Sequence, residues 1–367
     1  MSEQRVRVGV IGLGIAGQVM HLTYLRELND RFEVTALCDL SPGLLAALGE
    51  EYGVSRRYTD WRQMLSEAPL DAVLVLTTGS HAPQAIAAAR AGKHVFVEKP
   101  MCFTPREADE MIAAADQAGV VLMVGYMKRY DPGYLHARQL MADLRPRITY
   151  VQVNTLHPPI QMHLTHHKIL RFDDVPASTL EPLQAESRAL VDEALGIPHH
   201  PWLDRAYPDF ILGSMVHDVN ALRGLFGEPE AVLYTDLWDG GDCITTILRY
   251  PGDVRCQYSW TFLRDLRHYD ETLSFYGDGA RLHVKFPSPF LRNEPMLVVT
   301  EGMDDGVAWE KTALVSYEEA FKEELIHFHD CIVNGRRPRT DGQDGKRDVV
   351  LLHDLTLAWQ RAQQPRG

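Results

Sequence analysis

The stretch VRVGVIGLGIAG, residues 6–17, decides the fold of the N-terminal part of the chain. A short apolar strand pattern runs directly into Gly12, Gly14 and Gly17, and a helical pattern continues to Leu28. Glycines at this spacing between a strand and a helix are typical of a dinucleotide-binding βαβ unit. Gly12 permits the tight turn, Gly14 lets the backbone approach a pyrophosphate, and Gly17 lets the helix pack on the sheet. The predicted cofactor contacts in this turn are Gly12, Gly14, Ile15, Ala16 and Gly17.

The next predicted strand ends at Asp39, which supplies a second cofactor contact. A carboxylate at this position accepts hydrogen bonds from the adenosine ribose hydroxyls and repels a 2′-phosphate. Because no arginine follows directly, we expect NAD, with NADP less favoured. A glycine turn and a surface acid on an unrelated α/β protein remain the alternative at this point.

Short apolar runs alternate with amphipathic helical patterns as far as Tyr126, which is the signature of a parallel sheet covered by helices on both faces. We therefore predict an α/β fold that begins with a Rossmann dinucleotide-binding domain over residues 1–126. The predicted strands of this domain are 5–11, 33–38, 72–76, 94–97 and 120–124.

Beyond Tyr126 the pattern changes, and residues 127–367 are predicted to form a second α/β domain. Residues 127–144 read as one helix, and a final helix is expected at about 345–363. Residues 157–209 are rich in Pro, His and Asp, and predict a long excursion with one helix near 182–195. Alternating strand patterns predict a large, open, mostly antiparallel sheet. These strands are 148–154, 231–237, 245–250, 255–262, 271–276 and 281–285.

The composition of the chain argues against several classes of partner and of structural site. The net charge of −13 and the lack of a dense Lys/Arg cluster argue against nucleic acid. Five scattered cysteines without a CxxC pair argue against a disulfide framework and a zinc ribbon, so a cytoplasmic location is expected. The first apolar run is too short and too rich in glycine for a signal peptide or a membrane span.

The most specific motif is Glu98-Lys99-Pro100, at the end of the predicted strand 94–97. A lysine at the carboxyl end of a parallel strand lies where open α/β sheets bind ligands, and it can donate to a substrate oxygen. A solvated lysine paired with Glu98 is the structural alternative. Together with GLGIAG at 12–17 and GYMKRYDP at 125–132, this motif resembles the Gfo/Idh/MocA family of glucose-fructose oxidoreductase and inositol dehydrogenase.

The resemblance is strong over residues 5–132 and weaker beyond them. It implies an NAD-binding Rossmann domain, a second domain whose sheet mediates a homodimer or homotetramer, and a sugar or polyol substrate. It also implies that Lys99 is catalytic beside the nicotinamide and that Glu98 lies with it at the cofactor. The bond before Pro100 tends to be cis in this family.

His217, in GSMVHDVN at 213–220, matches the family histidine that exchanges a proton with the reacting hydroxyl. Its ordinary pKa near neutrality suits that role, and a helix histidine satisfied by a neighbour is the alternative. The family aspartate four residues earlier is Gly213 here, and a further acid is Asn220. Ser214, Asp218 and Asp209 are the candidates to replace the missing carboxylate.

Further candidates flank the cofactor and substrate positions. Thr77, Thr78 and His81 follow a strand at its carboxyl end and are predicted to line the cofactor groove. No metal is expected, although the excursion is rich in histidine, because no helix is convincing there and no cysteine joins it. The predicted substrate contacts are Tyr126, Arg129, Arg171, Asp173, Tyr207 and Ser214, of which Arg129 has a structural salt-bridge role as its alternative.

These observations predict an NAD-dependent oxidoreductase that acts on a secondary hydroxyl or keto group of a sugar, cyclitol or sugar derivative. One alternative is an enzyme that uses tightly held NAD transiently, for elimination, hydrolysis or epimerisation without net redox change. Another is a regulatory protein that senses a dinucleotide without catalysis.

Overall fold

The computed structural model describes residues 5–363, which divide into two compact units. The first unit contains the residues up to 126 together with 167–197 and 321–350. The second contains 127–166, 198–320 and the residues from 351 onward. Within the described residues, no helix has the length and apolar character that a membrane crossing requires.

Fourteen strands are found in the described chain. They are β1 Val6–Ile11, β2 Phe32–Cys38, β3 Arg56–Tyr58, β4 Ala72–Val75, β5 His94–Glu98, β6 Leu122–Gly125, β7 Ile148–His157, β8 Ala231–Trp238, β9 Cys243–Tyr250, β10 Val254–Phe262, β11 Asp270–Gly277, β12 Ala280–Phe286, β13 Leu297–Asp304 and β14 Val307–Leu314.

The α-helices vary from single turns to long elements, and two π-helices and several 3₁₀ turns accompany them. The α-helices are α1 Leu22–Glu27, α2 Pro42–Glu51, α3 Trp61–Glu67, α4 Ala82–Arg90, α5 Pro105–Ala118, α6 Pro132–Leu144, α7 Ala177–Leu195, α8 Leu203–Arg205, α9 Val216–Phe226, α10 Ala320–Asn334 and α11 Gly342–Gln363. The π-helices are Ala16–His21 and Ala206–Met215.

The first unit is built on a parallel sheet with the strand order β3-β2-β1-β4-β5-β6. The predicted Rossmann fold is therefore confirmed. The central strands β1, β4 and β5 are buried along nearly their whole length, which explains why they read as apolar runs. The short edge strand β3 was not predicted, because its two exposed arginines give it no apolar signal.

The second unit is built on a sheet with the order β14-β13-β12-β11-β7-β10-β9-β8. Only the β7–β10 pair is parallel, and the other neighbouring pairs in this sheet are antiparallel. The expected large, mostly antiparallel sheet is confirmed. The prediction missed β13 and β14, and β14 is exposed along nearly all of its length, so it lacks the alternation of buried and exposed residues.

Two helices differ from the predicted boundaries. The single helix expected at 127–144 is a 3₁₀ turn, Met127–Tyr130, followed by α6. Asp131 starts the new helix because its carboxylate accepts the Gly133 N–H at 2.7 Å and Pro132 occupies the first helical position. The excursion helix α7 begins at Ala177 and contains Pro182 in its interior, whereas the prediction began it at that proline.

Gly12 makes the turn from β1 into the following helix sterically possible. Its φ of +95° lies in the region that side chains disfavour. A Cβ on Gly12 would also lie 2.8 Å from the backbone of Leu76 and Thr77. Gly14 has an exposed position, and a Cβ there would meet no atom within 4 Å. The turn therefore needs Gly12 for folding, whereas Gly14 leaves open space in front of the backbone.

We predict that Gly12→Ala destabilises the protein by about 2 kcal/mol or more, because strain and a backbone clash add together. Gly14→Ala is the matched control and is expected to change the free energy of unfolding by less than about 0.5 kcal/mol. Urea-induced unfolding followed by circular dichroism measures both. Equal stability of the two variants would contradict the steric argument.

Candidate active site

The carboxyl ends of β1 and β2 bring the glycine turn and Asp39 together. The Asp39 carboxylate accepts the Leu13 N–H at 2.7 Å and the Ser41 N–H at 2.9 Å. Ile15, at the start of the helix, has no side-chain oxygen that could cap the helix, unlike Ser41 at the start of α2. The N–H groups at this helix start are thus left for an external anion such as a phosphate.

The loop after β4 closes the same edge of the sheet. The His81 ring lies 2.7 Å from the Thr77 carbonyl oxygen through Nε2 and 2.7 Å from the Pro100 carbonyl oxygen through Nδ1. Burial lowers the pKa of His81, which favours the neutral ring. The Thr77 hydroxyl is buried and finds no hydrogen-bond partner among the described residues, while Thr78 beside it is exposed. A neutral ring donates to only one of these two carbonyl oxygens, whereas the His81 backbone N–H donates to the Met101 carbonyl at 3.4 Å and holds this loop to the segment after β5. Thr77 presents an unsatisfied hydroxyl in the same loop.

Lys99 follows β5 directly and is half-buried, and its peptide bond to Pro100 is cis. The Glu98 carboxylate accepts the Lys99 backbone N–H at 3.0 Å and lies 2.7 Å from His21 Nε2. Glu98 is therefore bound to the backbone at Lys99 and to the helix that follows the glycine turn.

Glu98 belongs to a buried cluster with His21 and Glu324 of α10, whose side-chain ligand atoms lie within 4.8 Å of one another. Burial by itself would raise the pKa of Glu98, but His21 and Lys99 hold it below the ordinary value. Burial and the nearby charge of Glu98 raise the pKa of Glu324 well above its ordinary value. Neither Glu324 oxygen has a hydrogen-bond partner among the described residues. The cluster is neutralised most simply when Glu324 keeps its proton.

In the second unit, His217 is half-buried in the first turn of α9. Its neighbour Asp218 is buried, and it accepts hydrogen bonds from Tyr258 at 2.6 Å, Thr155 at 2.8 Å and Lys128 at 3.2 Å. Lys128 also pairs with Glu271. These contacts attach the start of α9, and with it His217, to the sheet.

The two acids of this network, Asp218 and Glu271, differ in protonation. Burial opposes ionisation of Asp218, but Lys128 and the hydrogen bonds hold its pKa below the ordinary value. Burial and the Asp218 charge raise the pKa of Glu271 well above its ordinary value. The ammonium group of Lys128 is therefore matched mainly by Asp218, and Glu271 keeps its proton.

The candidates to replace the family carboxylate at Gly213 have different surroundings. Ser214 accepts a hydrogen bond from the Trp260 ring N–H at 2.9 Å. Both Asp218 oxygens are used by the network just described, and Asp209 lies on an exposed part of the π-helix. A Cβ on Gly213 would lie 3.0 Å from the Pro208 carbonyl oxygen, so the π-helix backbone leaves little room for a side chain at this position.

The remaining predicted substrate contacts differ in burial. Tyr126 and Tyr207 are fully buried, in the first and second units respectively, whereas Arg171 and Asp173 are exposed in the first unit. Arg129 donates to the Asn220 side-chain oxygen and backbone carbonyl at 3.3 Å each. A substrate role for these residues stays a prediction.

The histidines of the excursion have separate partners. His163 lies 2.6 Å from the Ser288 hydroxyl, His199 lies 2.8 Å from Asp204, and His157 packs on Trp260. None of them joins a group of three metal-ligating side chains within residues 5–363.

Residues 6–126 match the family described as "Oxidoreductase family, NAD-binding Rossmann fold". The NAD(+)-dependent scyllo-inositol 2-dehydrogenase of Bacillus subtilis is 31% identical over 340 residues, which are 92% of this chain and 89% of that protein. The chain belongs to the Gfo/Idh/MocA oxidoreductase family. The myo-inositol 2-dehydrogenase of Thermotoga maritima is 25% identical over 349 residues, 94% of each chain.

The solved structures agree on the fold. The aldose-aldose oxidoreductase of Caulobacter crescentus superimposes with a TM-score of 0.73 at 22% identity, over 98% of this chain and 99% of that one. The family assignment makes this protein a Rossmann-fold oxidoreductase. Because these relatives are named dehydrogenases or oxidoreductases, the comparisons favour net redox chemistry over the two alternatives.

Three features of the site were not found from the sequence. They are the Glu324 partner of Glu98, the Lys128–Asp218–Glu271 network, and the contacts of residues 170–174 with the glycine turn and α2. Each joins residues far apart in the chain, and no local pattern marks such pairs.

We predict that Glu324→Gln removes a pH dependence of stability. A carboxyl group whose pKa is raised by folding costs stability as the pH rises from its ordinary pKa of 4.5 through the folded-state pKa. The variant should match the wild type below about pH 4.5 and become more stable relative to it at higher pH. Thermal unfolding across this pH range measures the difference, with Glu323→Gln on the same helix as the control. A large loss of stability at every pH, accompanied by loss of a bound metal ion, would contradict the protonated-acid interpretation.

We further predict that Lys128→Met destabilises the protein by about 3–5 kcal/mol, because it leaves the Asp218 charge buried without its partner. The double variant Lys128→Met/Asp218→Asn should recover part of this loss. Lys285→Met, at an exposed position on β12, is the control and should stay within about 0.5 kcal/mol of the wild type. Urea unfolding checks all three, and a small effect of the first substitution would count against the proposed charge balance.

Proposed function

We propose that this protein is an NAD-dependent dehydrogenase that interconverts a secondary hydroxyl and a keto group on a cyclitol, sugar or sugar derivative. The observation that carries the proposal is the arrangement at one edge of the first sheet. There the glycine turn, the Asp39 carboxylate, the unsatisfied Thr77 hydroxyl and half-buried Lys99 follow β1, β2, β4 and β5. In open α/β sheets this edge is where ligands bind.

The residues of this edge fit a dinucleotide. The open space at Gly14 and the uncapped helix start suit a pyrophosphate. Asp39 suits the hydroxyls of an adenosine ribose, and its charge favours NAD over NADP. Thr77, Thr78, His81 and Glu98 complete the proposed cofactor side. Residues 1–126 form the proposed cofactor-binding domain, and 127–367 the proposed substrate-binding domain.

Lys99 is the proposed electrophilic group. Its ammonium donates a hydrogen bond to the reacting oxygen and stabilises negative charge there while hydride leaves the neighbouring carbon. Glu98 supports this role because it binds the Lys99 backbone N–H and so limits movement of the strand end. Bound NAD supplies the acceptor for the hydride.

His217 is the proposed acid/base group. During oxidation it takes the hydroxyl proton, and during reduction it returns the proton to the carbonyl oxygen. The buried network around Asp218 supports this role because it fixes the first turn of α9. The family aspartate is absent at 213, so a single imidazole carries the proton transfer.

The substrate class is inferred from the relatives, which are named for inositols and for sugars such as D-apiose. We also propose a cytoplasmic homodimer or homotetramer formed through the second sheet. Exposed apolar side chains on β8 at one edge of this sheet, and on β13 and β14 at the other, support this assembly. They include Leu233, Tyr234, Trp238, Met303, Val307 and Trp309.

The proposal is tested by incubating the purified protein with NAD and a panel of inositols and aldoses and following NADH absorbance. Lys99→Ala should lower turnover by about 10²–10⁴-fold, because it removes charge stabilisation at the reacting oxygen. His217→Gln should lower turnover by a similar factor. It should also remove the rise in turnover rate that deprotonation of His217 causes near neutral pH. NADH binding, measured by fluorescence, should persist in both variants.

Lys93→Ala is the matched control, because Lys93 lies before the amino end of β5 and donates to the Leu70 carbonyl. It should turn over substrate at a rate close to that of the wild type. Substrate consumption at constant NADH absorbance would instead indicate the transient use of NAD. Binding of NAD without any turnover across the panel would favour the regulatory alternative.

A further inference from the structure

Residues 170–174, which we call the adenosine strap, belong to the first unit although they are remote in sequence from its sheet. The Leu170 N–H donates to the Gln18 side-chain oxygen at 2.8 Å, and the Gln18 amide donates back to the Leu170 carbonyl at 3.1 Å. Gln18 directly follows the glycine turn, and its amide also donates to the Leu13 carbonyl at 2.8 Å. Two hydrogen bonds of opposite direction therefore attach the strap to Gln18, the residue that follows the glycine turn.

The other end of the strap lies at the start of α2. The Asp174 carboxylate accepts the Gly43 N–H at 2.6 Å. The nearby Ser41 hydroxyl and the Gly43 N–H lower the pKa of Asp174, so the carboxylate is charged. The Phe172 ring packs against Gly43, where an added Cβ would lie 2.5 Å from it. Asp174 thus occupies the Gly43 N–H at this helix start.

The same turn carries Asp39, whose carboxylate accepts the Ser41 N–H at 2.9 Å. The carboxylates of Asp39 and Asp174 lie far apart in the sequence, and both accept hydrogen bonds from residues 41–43. A helix start with free N–H and hydroxyl donors is a favourable place for a phosphate. Here the Gly43 N–H is already bound to a carboxylate of the protein, and the Leu44 N–H donates to the Ser41 hydroxyl at 3.1 Å.

We propose that Asp174 is a second determinant of cofactor specificity, which excludes the 2′-phosphate of NADP. This inference rests on the proposed binding of a dinucleotide with its ribose at Asp39. A 2′-phosphate there would bring about two negative charges toward Asp39 and Asp174. It would also find the Gly43 N–H occupied. The ribose hydroxyls of NAD do not need this donor, so the strap leaves NAD binding unaffected.

The test compares the dissociation constants of NADH and NADPH, measured by fluorescence titration of the full-length protein. Asp174→Asn should tighten NADPH binding by about tenfold relative to NADH, because it removes one repelling charge. NADH binding should change by less than about threefold. Asp174 is exposed, so its replacement by the isosteric amide leaves the core untouched.

Glu181→Gln is the matched control, because Glu181 is also an exposed acid of the excursion and belongs to the same unit, but lies outside the strap. It should leave the ratio of the two dissociation constants unchanged. Gly43→Ala is a second variant, since its methyl group would displace Phe172 and Asp174 while favouring the helix. It should shift the ratio in the same direction as Asp174→Asn.

Ionic strength supplies an independent readout. The preference of the wild type for NADH should decrease as salt rises, and the decrease should be smaller in Asp174→Asn, because salt screens the repulsion between exposed charges. The inference is overturned if Asp174→Asn binds NADH normally and keeps the wild-type ratio, or if the wild type prefers NADPH. If the wild type binds neither nucleotide, the proposed function itself is wrong.

Discussion

Gly12 is the position on which the first unit depends. The chain must leave the carboxyl end of β1 through a left-handed residue that passes within contact distance of the backbone after β4. Because no side chain fits there, the turn brings β1, β2 and β4 together with their carboxyl ends open to ligands. The same requirement leaves Gly14 exposed and the next helix uncapped. The residues that shape the turn for folding therefore also shape it for binding phosphate.

Each unit contains a buried pair of acids in which one carboxyl is ionised and the other is protonated. In the first, Glu98 is ionised beside His21 while Glu324 retains a proton. In the second, Asp218 is ionised beside Lys128 while Glu271 retains a proton. One acid of each pair stays neutral because two adjacent carboxylates cannot both ionise at low cost away from water. Each ionised acid lies next in sequence to a proposed catalytic residue, Lys99 or His217.

In the proposed function, cofactor choice involves more than the acid at the end of β2. Asp39 contacts the glycine turn and the start of α2 directly, and the adenosine strap reaches the same two elements from the excursion. The strap connects an insertion that carries no recognisable motif with the part of the fold that carries the strongest one. The proposed role of Asp174 would give this long excursion a function in cofactor binding, as is common for long loops in enzymes.

The sequence by itself determined the Rossmann fold, the glycine turn, the acid at 39 and the family, because all of these follow from periodicity and from motifs of a few neighbouring residues. It also predicted the large antiparallel sheet, although it missed β13 and the strands β3 and β14, whose edge positions and exposure weaken the apolar pattern. Only the tertiary structure decided that Glu324 lies beside Glu98, that Lys128 pairs with Asp218 and Glu271, and that Asp174 occupies the start of α2. The reason is that the energy of a buried charge or an occupied helix end depends on which distant groups surround it, and local sequence patterns do not contain that information.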